Sequence, residues 1–159
     1  MSKKSEEKTS DSSTVVVNRK ARFNYTILET FEAGIVLSGN EIKSIRDGGV
    51  LLAEAYIKPQ NGEMLLIGSH IKEYAFSHDP KYNPDRVRKL LLHKREIERL
   101  QGKVETKGLT LVPLRLYLKN GLAKVEIALA KGKDAPDKRR TIMAREKDRE
   151  AERAIKRMK

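Results

Sequence analysis

The feature that most constrains the fold is the dipeptide Asn120-Gly121, which separates two extended segments at 109–119 and 122–130. Asn and Gly tolerate the positive φ angles of the two-residue turns that close antiparallel hairpins. In the second segment every other residue is apolar and would face one side of a sheet: Ala123, Val125, Ile127 and Leu129. The sequence therefore predicts an antiparallel hairpin, with Pro113 at an edge or a bulge because it cannot donate a ladder hydrogen bond.

Other extended segments are shorter and are also separated by turn residues. Apolar residues alternate at Phe23, Tyr25 and Ile27, and the extended pattern continues to Leu37. The predicted strands before residue 131 are 23–37, 55–58, 64–69, 88–92, 109–119 and 122–130. Short antiparallel strands with hairpin turns predict a mainly β fold with two short helices, in which about six strands form a small closed or nearly closed barrel.

The first helix is marked by a capping sequence. Ser38 precedes Glu41 by three residues, a capping box in which each side chain satisfies a backbone N–H at a helix start. Gly48-Gly49 would end that helix after a short run. Glu41 is therefore interpreted as a cap residue.

The sequence after Pro84 fits two structures, either one long helix or a strand at 88–92 followed by a helix from Lys94. We favour the second because His93 stands at an N-cap position with Glu96 three residues later. The helix would then carry a stripe of apolar residues: Ile97, Leu100 and Val104.

Net charge indicates the class of partner. The chain has 34 Lys or Arg against 22 Asp or Glu, a net charge of +12, which favours nucleic acid or an acidic membrane surface. Cysteine is absent, which excludes disulfides and thiolate zinc sites and suits a reducing cytosol. Residues 1–14 are polar and are predicted to be a disordered leader without a signal segment. Since no apolar run approaches the ~18 residues of a membrane span, we expect a soluble, cytoplasmic protein.

The last 29 residues, 131–159, contain 12 Lys or Arg and 6 Asp or Glu, and so carry half of the net charge. Their apolar residues form no stripe wide enough to anchor a helix on a core. From Arg139 onward the composition favours helix, but an isolated helix of this length is marginal in water. We predict a basic tail outside a body at 15–130, which becomes helical on an RNA surface. A solvated charged helix or a solubility tail is the alternative.

Motifs for catalysis or cofactor binding are absent from the sequence. No two of the three histidines, His70, His78 and His93, stand at a metal-ligand spacing. Gly-rich phosphate loops and nucleophile elbows are also missing, so we expect no enzyme activity, metal or cofactor. Glu32 lies in an apolar strand and is open to two interpretations. It is either an ordinary exposed carboxylate or a functional one, which accepts hydrogen bonds from base edges or sugar hydroxyls or positions a neighbouring Arg.

Several short segments occur in one order and together resemble a known family. They are 18–22 (NRKAR), 31–35 (FEAGI), 39–44 (GNEIKS), 88–93 (RKLLLH), 131–133 (KGK) and 137–139 (DKR). In order and spacing this set resembles small protein B, the SsrA-binding protein family of bacteria. No single segment is specific, so the resemblance depends on the ordered set.

The resemblance implies a fold and a function. Members of this family are RNA-binding factors, not enzymes, with an OB-like antiparallel barrel and flanking helices. They bind the tRNA-like domain of transfer-messenger RNA and accompany it, with elongation factor Tu, into stalled ribosomes. This process, trans-translation, tags the stalled peptide and releases the ribosome. The tail of the family enters the vacant mRNA channel at the decoding centre of the small subunit.

The resemblance also implies site residues by position. In the body, the matching RNA-binding residues are Arg19, Lys20, Glu32, Leu91, His93 and Lys124. In the tail, the residues that match the ribosome-binding motif are Lys131, Gly132, Lys133, Asp137, Lys138 and Arg139. The family commonly has Asn at the position of His93, Lys at that of Asp134, and an aromatic residue or His at that of Pro136. The last departure removes a stacking contact from the tail.

Three functions are compatible with the sequence. The first is an adaptor for transfer-messenger RNA with a decoding-channel tail, and the second is a generic OB-fold ribosomal or rRNA-binding protein. The third is a phosphoryl-transfer enzyme or nuclease, which would need clustered carboxylates or histidines to hold metal. The ordered motifs favour the first.

Overall fold

The computed structural model describes residues 12–133 together with residues 139, 142, 143, 146, 147, 149, 150 and 153. Between residues 12 and 133 the strands are β1 (Ser12–Val17), β2 (Tyr25–Ile35), β3 (Val50–Leu51), β4 (Tyr56–Gln60), β5 (Glu63–Ile67), β6 (His70–Ile71), β7 (Arg88–Leu91), β8 (Thr110–Lys119) and β9 (Leu122–Gly132). The helices in the same range are α1 (Arg19–Asn24), α2 (Gly39–Arg46) and α3 (Lys94–Lys107). Most of the predicted leader, residues 1–11, lies outside the described residues.

Six of the strands described between residues 12 and 133 close into an antiparallel ring, in the order β8, β4, β5, β7, β2, β9 and back to β8. β1 pairs with β8 outside this ring, and β3 and β6 form a separate two-stranded sheet. The prediction of a mainly β fold with short helices and roughly six antiparallel strands is thus confirmed.

The predicted hairpin around Asn120-Gly121 is present. The two turn residues have φ angles of 52° and 78°, and Lys119 pairs with Leu122 directly across the turn. The register of this hairpin shifts immediately after Pro113, which therefore lies at a β-bulge. Both features agree with the sequence.

The structure corrects the start of the body. Phe23 lies in α1, not in a strand, so residues 12–133 contain three helices where two were predicted. Asn18 caps α1: its Oδ1 accepts a hydrogen bond from the backbone N–H of Ala21 at 3.2 Å. Its Nδ2 donates to the carbonyls of Leu52 and Pro113 at 3.1 Å and 2.9 Å. These contacts with distant residues stabilise the helix, although the alternating apolar residues of this segment predict a strand.

Both ends of the body extend beyond their predicted boundaries. β1 begins at Ser12, inside the predicted leader, and β9 includes Lys131 and Gly132 of the predicted tail. Strand pairing fixes both ends, since Ser12 lies opposite Lys119 and Gly132 lies opposite Tyr25. The first residues that match the tail motif of the resembled family are therefore part of the sheet.

Apolar side chains fill the interior of the ring. The fully buried strand residues of this core include Ala33, Met64, Leu66, Leu111, Leu116, Val125 and Ile127. α3 adds the fully buried Leu100, with Ile97 and Val104 packed beside it. The predicted strand-then-helix arrangement after Pro84 and the apolar stripe of the helix are both confirmed.

A buried ion pair joins α2 to β7. Glu41, whose side chain is 1% exposed, accepts hydrogen bonds from Arg88 Nε at 2.6 Å and from Arg86 Nη2 at 2.5 Å. Arg88 is fully buried and also donates to the Ser69 carbonyl and hydroxyl at 3.2 Å and 3.0 Å, and to the Pro84 carbonyl at 3.0 Å. All three guanidinium nitrogens are therefore bonded, as a buried charge requires.

Glu41 also caps its own helix. Its Oε1 accepts a hydrogen bond from the backbone N–H of Ser38 at 2.8 Å, and Ser38 Oγ accepts one from the backbone N–H of Glu41 at 3.3 Å. The predicted capping box is thus present. Burial raises the pKa of Glu41, but hydrogen bonds from Arg86, Ser38 and Arg88 outweigh it and hold the pKa below its ordinary value. Glu41 is therefore ionised at neutral pH.

The described residues of the tail share one conformation. All of them, from Arg139 to Arg153, have helical backbone and are exposed. Asp134, Pro136, Asp137 and Lys138 lie outside the described residues. In the described part of the chain, no helix is both long and apolar enough to cross a membrane.

Replacing Arg88 with Ala should lower the free energy of unfolding by about 3–5 kcal/mol, because it leaves the buried Glu41 carboxylate without its buried partner. Urea unfolding followed by circular dichroism measures this loss. The matched control is Lys89→Ala, which removes an exposed ion pair with Glu63 at 3.1 Å and should cost less than ~1 kcal/mol. Equal losses in the two variants would contradict a special role for the buried pair.

Candidate nucleic-acid interface

Strand pairing places residues from distant parts of the chain in one row of the sheet. Gly34 on β2 lies opposite Lys124 on β9, which in turn lies opposite Tyr117 on β8. On the other edge of β2, Gly34 lies opposite Leu91 on β7. Paired residues share a face of a sheet, as do residues two apart on one strand. Leu91, Lys124, Tyr117 and Glu32 therefore lie on one face.

A surface depression of about 340 Å³ lies over this row. The residues that line it are Glu32, Gly34, Leu91, Leu92, His93, Glu96 and Lys124. It therefore brings together four of the six body residues that the family resemblance implies: Glu32, Leu91, His93 and Lys124. A carboxylate, an ammonium group, an imidazole and an exposed aliphatic side chain are thus available together, a set that can contact both the bases and the backbone of RNA.

Gly34 keeps the floor of the depression open. A Cβ atom at this position would come within 3.3 Å of the Leu91 Cβ atom, closer than ordinary van der Waals contact. Leu91 itself is exposed beside this opening. Any larger residue at position 34 would therefore displace Leu91 or fill the depression.

Glu32 is held ionised by its neighbours. The Tyr117 hydroxyl donates a hydrogen bond to Glu32 Oε2, and Lys119 Nζ lies 3.5 Å from the same oxygen. The Tyr117 hydrogen bond holds the pKa of Glu32 below its ordinary value and, with the charges of Lys119 and Lys124, outweighs the opposing effect of burial. The side chain remains 44% exposed, so at neutral pH it presents a carboxylate that can only accept hydrogen bonds.

Tyr117 is a residue of the candidate site that the sequence patterns did not indicate. Its ring lies under the Arg115 guanidinium, with the guanidinium carbon 4.2 Å from the ring centroid. Burial, together with the adjacent Glu32, raises the pKa of Tyr117 well above its ordinary value, so the phenol stays protonated and donates. The hairpin register contained the signal, because a two-residue turn at Asn120-Gly121 pairs Tyr117 with Lys124.

His93 stands where α3 begins. The Glu96 carboxylate accepts a hydrogen bond from the backbone N–H of His93 at 3.3 Å, which supports the predicted helix start. The His93 side chain is exposed at the edge of the depression. Its imidazole is therefore available to a ligand.

Arg19 and Lys20 lie apart from the depression. Both belong to α1 and are exposed, and Lys20 Nζ forms an ion pair with the carboxylate of Glu54. Lys20 lines a different depression of about 240 Å³, together with Asn18 and Tyr56. The structure therefore does not join these two residues to the cluster around Glu32.

The base of the tail is bonded to the body. Lys131 and Gly132 pair with β2. The backbone N–H of Lys133 donates to the Asn24 carbonyl at 2.9 Å, and Lys133 Nζ donates to the Arg22 carbonyl at 3.1 Å. Arg139 lies in helical backbone and is exposed. Lys133 is therefore held at the C-terminal end of α1.

Comparison with known proteins points to one family. The family model described as SmpB protein matches residues 15–157. The SsrA-binding protein of Dehalococcoides mccartyi is 52% identical over 143 residues, which cover 90% of this chain and 83% of that protein. The SsrA-binding protein of Thermosynechococcus vestitus is 56% identical over 141 residues, which cover 87% of this chain and 92% of that protein.

The fold leads to the same family. A chain from a solved structure described as "tmRNA-SmpB: a journey to the center of the bacterial ribosome" superposes with a TM-score of 0.63 at 50% sequence identity. The superposition covers 76% of this chain and 85% of that one. The sequence comparisons and the structural comparison thus identify the same family.

Replacing Tyr117 with Phe should raise the pKa of Glu32 toward its ordinary value, because the hydroxyl makes the largest contribution to lowering it. Carboxyl-carbon NMR titration of Glu32 measures the change. Since the lowered pKa stabilises the folded state above the ordinary carboxyl pKa and this stability is lost as pH falls, the variant should also lose less stability on acidification. Tyr56→Phe, on β4, is the control. An unchanged Glu32 titration in Tyr117→Phe would contradict the role given to the hydroxyl.

Proposed function

This chain belongs to the SmpB protein family, and on this basis we propose that it binds transfer-messenger RNA and acts in trans-translation on the ribosome. The body binds the tRNA-like domain of that RNA and delivers it to stalled ribosomes, so that the stalled peptide is tagged and the ribosome released. Elongation factor Tu joins the complex through the RNA. The protein works as an RNA-binding factor in the bacterial cytoplasm, where its ribosomal partner is located.

The observation that carries this proposal is the depression in which Glu32, Leu91, His93 and Lys124 meet. An ionised carboxylate repels phosphate and accepts hydrogen bonds from base N–H groups or 2′-hydroxyls. Lys124 supplies the complementary charge for a nearby phosphate. The pair suits a folded RNA that presents base edges or sugar hydroxyls beside its backbone, and suits a uniform duplex surface less well.

In the same proposal the tail acts at the ribosome, where it occupies the empty mRNA channel. Half of the net charge lies in residues 131–159, and Arg139, Lys147, Arg149 and Arg153 are exposed in helical backbone. Cations spread along a helix suit contacts to phosphates that require no base-specific reading. The division is therefore between RNA capture by the body and ribosomal engagement by the tail.

Replacing Glu32 with Ala should weaken binding to the tRNA-like domain by about 10- to 150-fold, since hydrogen bonds to a charged group contribute roughly 1.5–3 kcal/mol. Fluorescence anisotropy with labelled RNA at several salt concentrations measures the affinity. The matched control is Glu63→Ala, which removes an exposed strand carboxylate outside the depression and should leave binding unchanged. Circular dichroism establishes that both variants are folded.

Two outcomes of the same titration would contradict the proposal. Normal binding by the Glu32→Ala variant would reduce Glu32 to an ordinary exposed carboxylate. Equal affinity of the wild-type protein for transfer-messenger RNA and tRNA, with a steep salt dependence, would favour the generic rRNA-binding function instead.

Deleting the residues after Lys133 should abolish peptide tagging while leaving affinity for transfer-messenger RNA within about threefold, because the depression and the anchored base of the tail remain. The deletion starts there because Lys131, Gly132 and Lys133 are bonded to the body. Tagging is measured in a reconstituted translation reaction on a truncated mRNA, and binding by anisotropy. A comparable loss of binding would contradict the division between body and tail.

A further inference from the structure

We propose that the turn at residues 74–77 is a second RNA-binding site, which stacks an unpaired base of ribosomal RNA on Phe76. This inference rests on the proposed function for the ribosome as partner. It assigns to the body a contact that is separate from the depression around Glu32. The features that support it are an aromatic pair in which Phe76 is exposed, a defined turn and neighbouring cations.

Phe76 is the most exposed large apolar side chain among the described residues, at 78%. Its ring meets the ring of Tyr74 edge-on, with the centroids 5.4 Å apart and the planes at 62°. In an edge-on pair the face of one ring is not covered by the other, so it remains available for stacking. An apolar ring left in water is unfavourable by itself, and a base would cover it.

The turn that presents Phe76 has a fixed shape. The backbone N–H of Ser77 donates to the Tyr74 carbonyl at 2.9 Å, which closes the turn with Phe76 at its tip. The loop that contains this turn is closed at its base, because the Ile71 N–H donates to the Pro84 carbonyl at 2.9 Å. The backbone that carries Phe76 is therefore fixed by hydrogen bonds, which lowers the entropy lost on binding.

Cations flank the aromatic pair. Lys43 Nζ lies 5.6 Å from the centroid of the Tyr74 ring, and Arg46 is exposed three residues further along α2. Lys72 is exposed and lines a depression of about 360 Å³ beside Tyr74, whose lining also includes Asp47 and Glu73. Aromatic side chains that stack bases, with basic residues near the backbone phosphates, are the usual elements of single-stranded RNA recognition.

The two sites share no residues, so both can be occupied by different RNAs at once. Under the proposed function, the RNA at the second site is ribosomal RNA. The depression beside Tyr74 is formed by α2, the segment just before β3 and the segment just after β6. The depression around Glu32 is formed by β2, β7, β9 and the start of α3. A protein that carries one RNA into contact with another needs separate surfaces for the two. Stacking on Phe76 would add affinity for the ribosome without altering the capture of transfer-messenger RNA.

Replacing Phe76 with Ala should weaken association of the complex with stalled ribosomes by roughly 5- to 150-fold, the range expected for loss of one stacked base. Affinity for the isolated tRNA-like domain should not change. The matched control is Val87→Ala, which truncates another exposed apolar side chain in the same loop region and should not affect either measurement. Phe76→Tyr retains a ring and should restore association.

A spectroscopic reporter tests the stacking directly. The chain contains no Trp, so Phe76→Trp introduces a single indole at the tip of the turn. Its fluorescence should be quenched on binding to ribosomes but not on binding to the tRNA-like domain. No quenching by ribosomes, or quenching by the tRNA-like domain alone, would overturn the inference. A photo-crosslink from position 76 to a ribosomal protein instead of RNA would do the same.

The two proposals can fail separately. If the wild-type chain did not bind the tRNA-like domain, the proposed function would fail. Quenching of the Phe76→Trp protein by vacant ribosomes would still measure the stacking contact. If the tRNA-like domain bound normally but Phe76→Ala had no effect on ribosome association, the second site alone would be rejected.

Discussion

The structure depends on the buried ion pair between Glu41 and Arg88. It connects α2, β7 and the polypeptide around Ser69 and Pro84, so four separate parts of the chain meet at one guanidinium. Removing both charges from water is expensive, and only the complete set of hydrogen bonds offsets that cost. The pair therefore specifies one position for β7. Leu91, three residues after Arg88, owes its place beside Gly34 to that position.

The ring of strands has a packed apolar inner side and carries the candidate RNA-binding surface on its outer side. Its inward side chains are apolar and buried, whereas the outward row from Tyr117 across Lys124 to Leu91 is polar at one end and aliphatic at the other. On the same face as this row, Glu32 lies near several cations, and Tyr117 keeps it ionised. A surface made only of cations would bind any polyanion. An oriented carboxylate adds discrimination, because a ligand must place a donor there and keep its phosphates away.

Local chemistry accounts for the parts of the fold that could be predicted from the sequence. Asn120-Gly121 specified a hairpin and its register, and Ser38 with Glu41 specified a helix start, since these signals act over a few residues. α1 was missed because its cap, Asn18, depends on carbonyls 34 and 95 residues away. Glu41 and Arg88 are 47 residues apart in the chain, and no periodic pattern in the sequence indicates that they pair. The family resemblance supplied the site residues around Glu32, and the fold showed that four of the six meet.

The position of the tail base links the two halves of the proposed mechanism. β9 carries Lys124 within the depression and, eight residues later, ends at Gly132, where Lys133 bonds to α1. One rigid strand thus fixes the distance between the captured RNA and the point where the tail begins. A flexible connection would let the tail search a large volume, with a low effective concentration at its target. Under the proposed function an anchored base would limit that search, so docking of the captured RNA would also direct the tail toward its site.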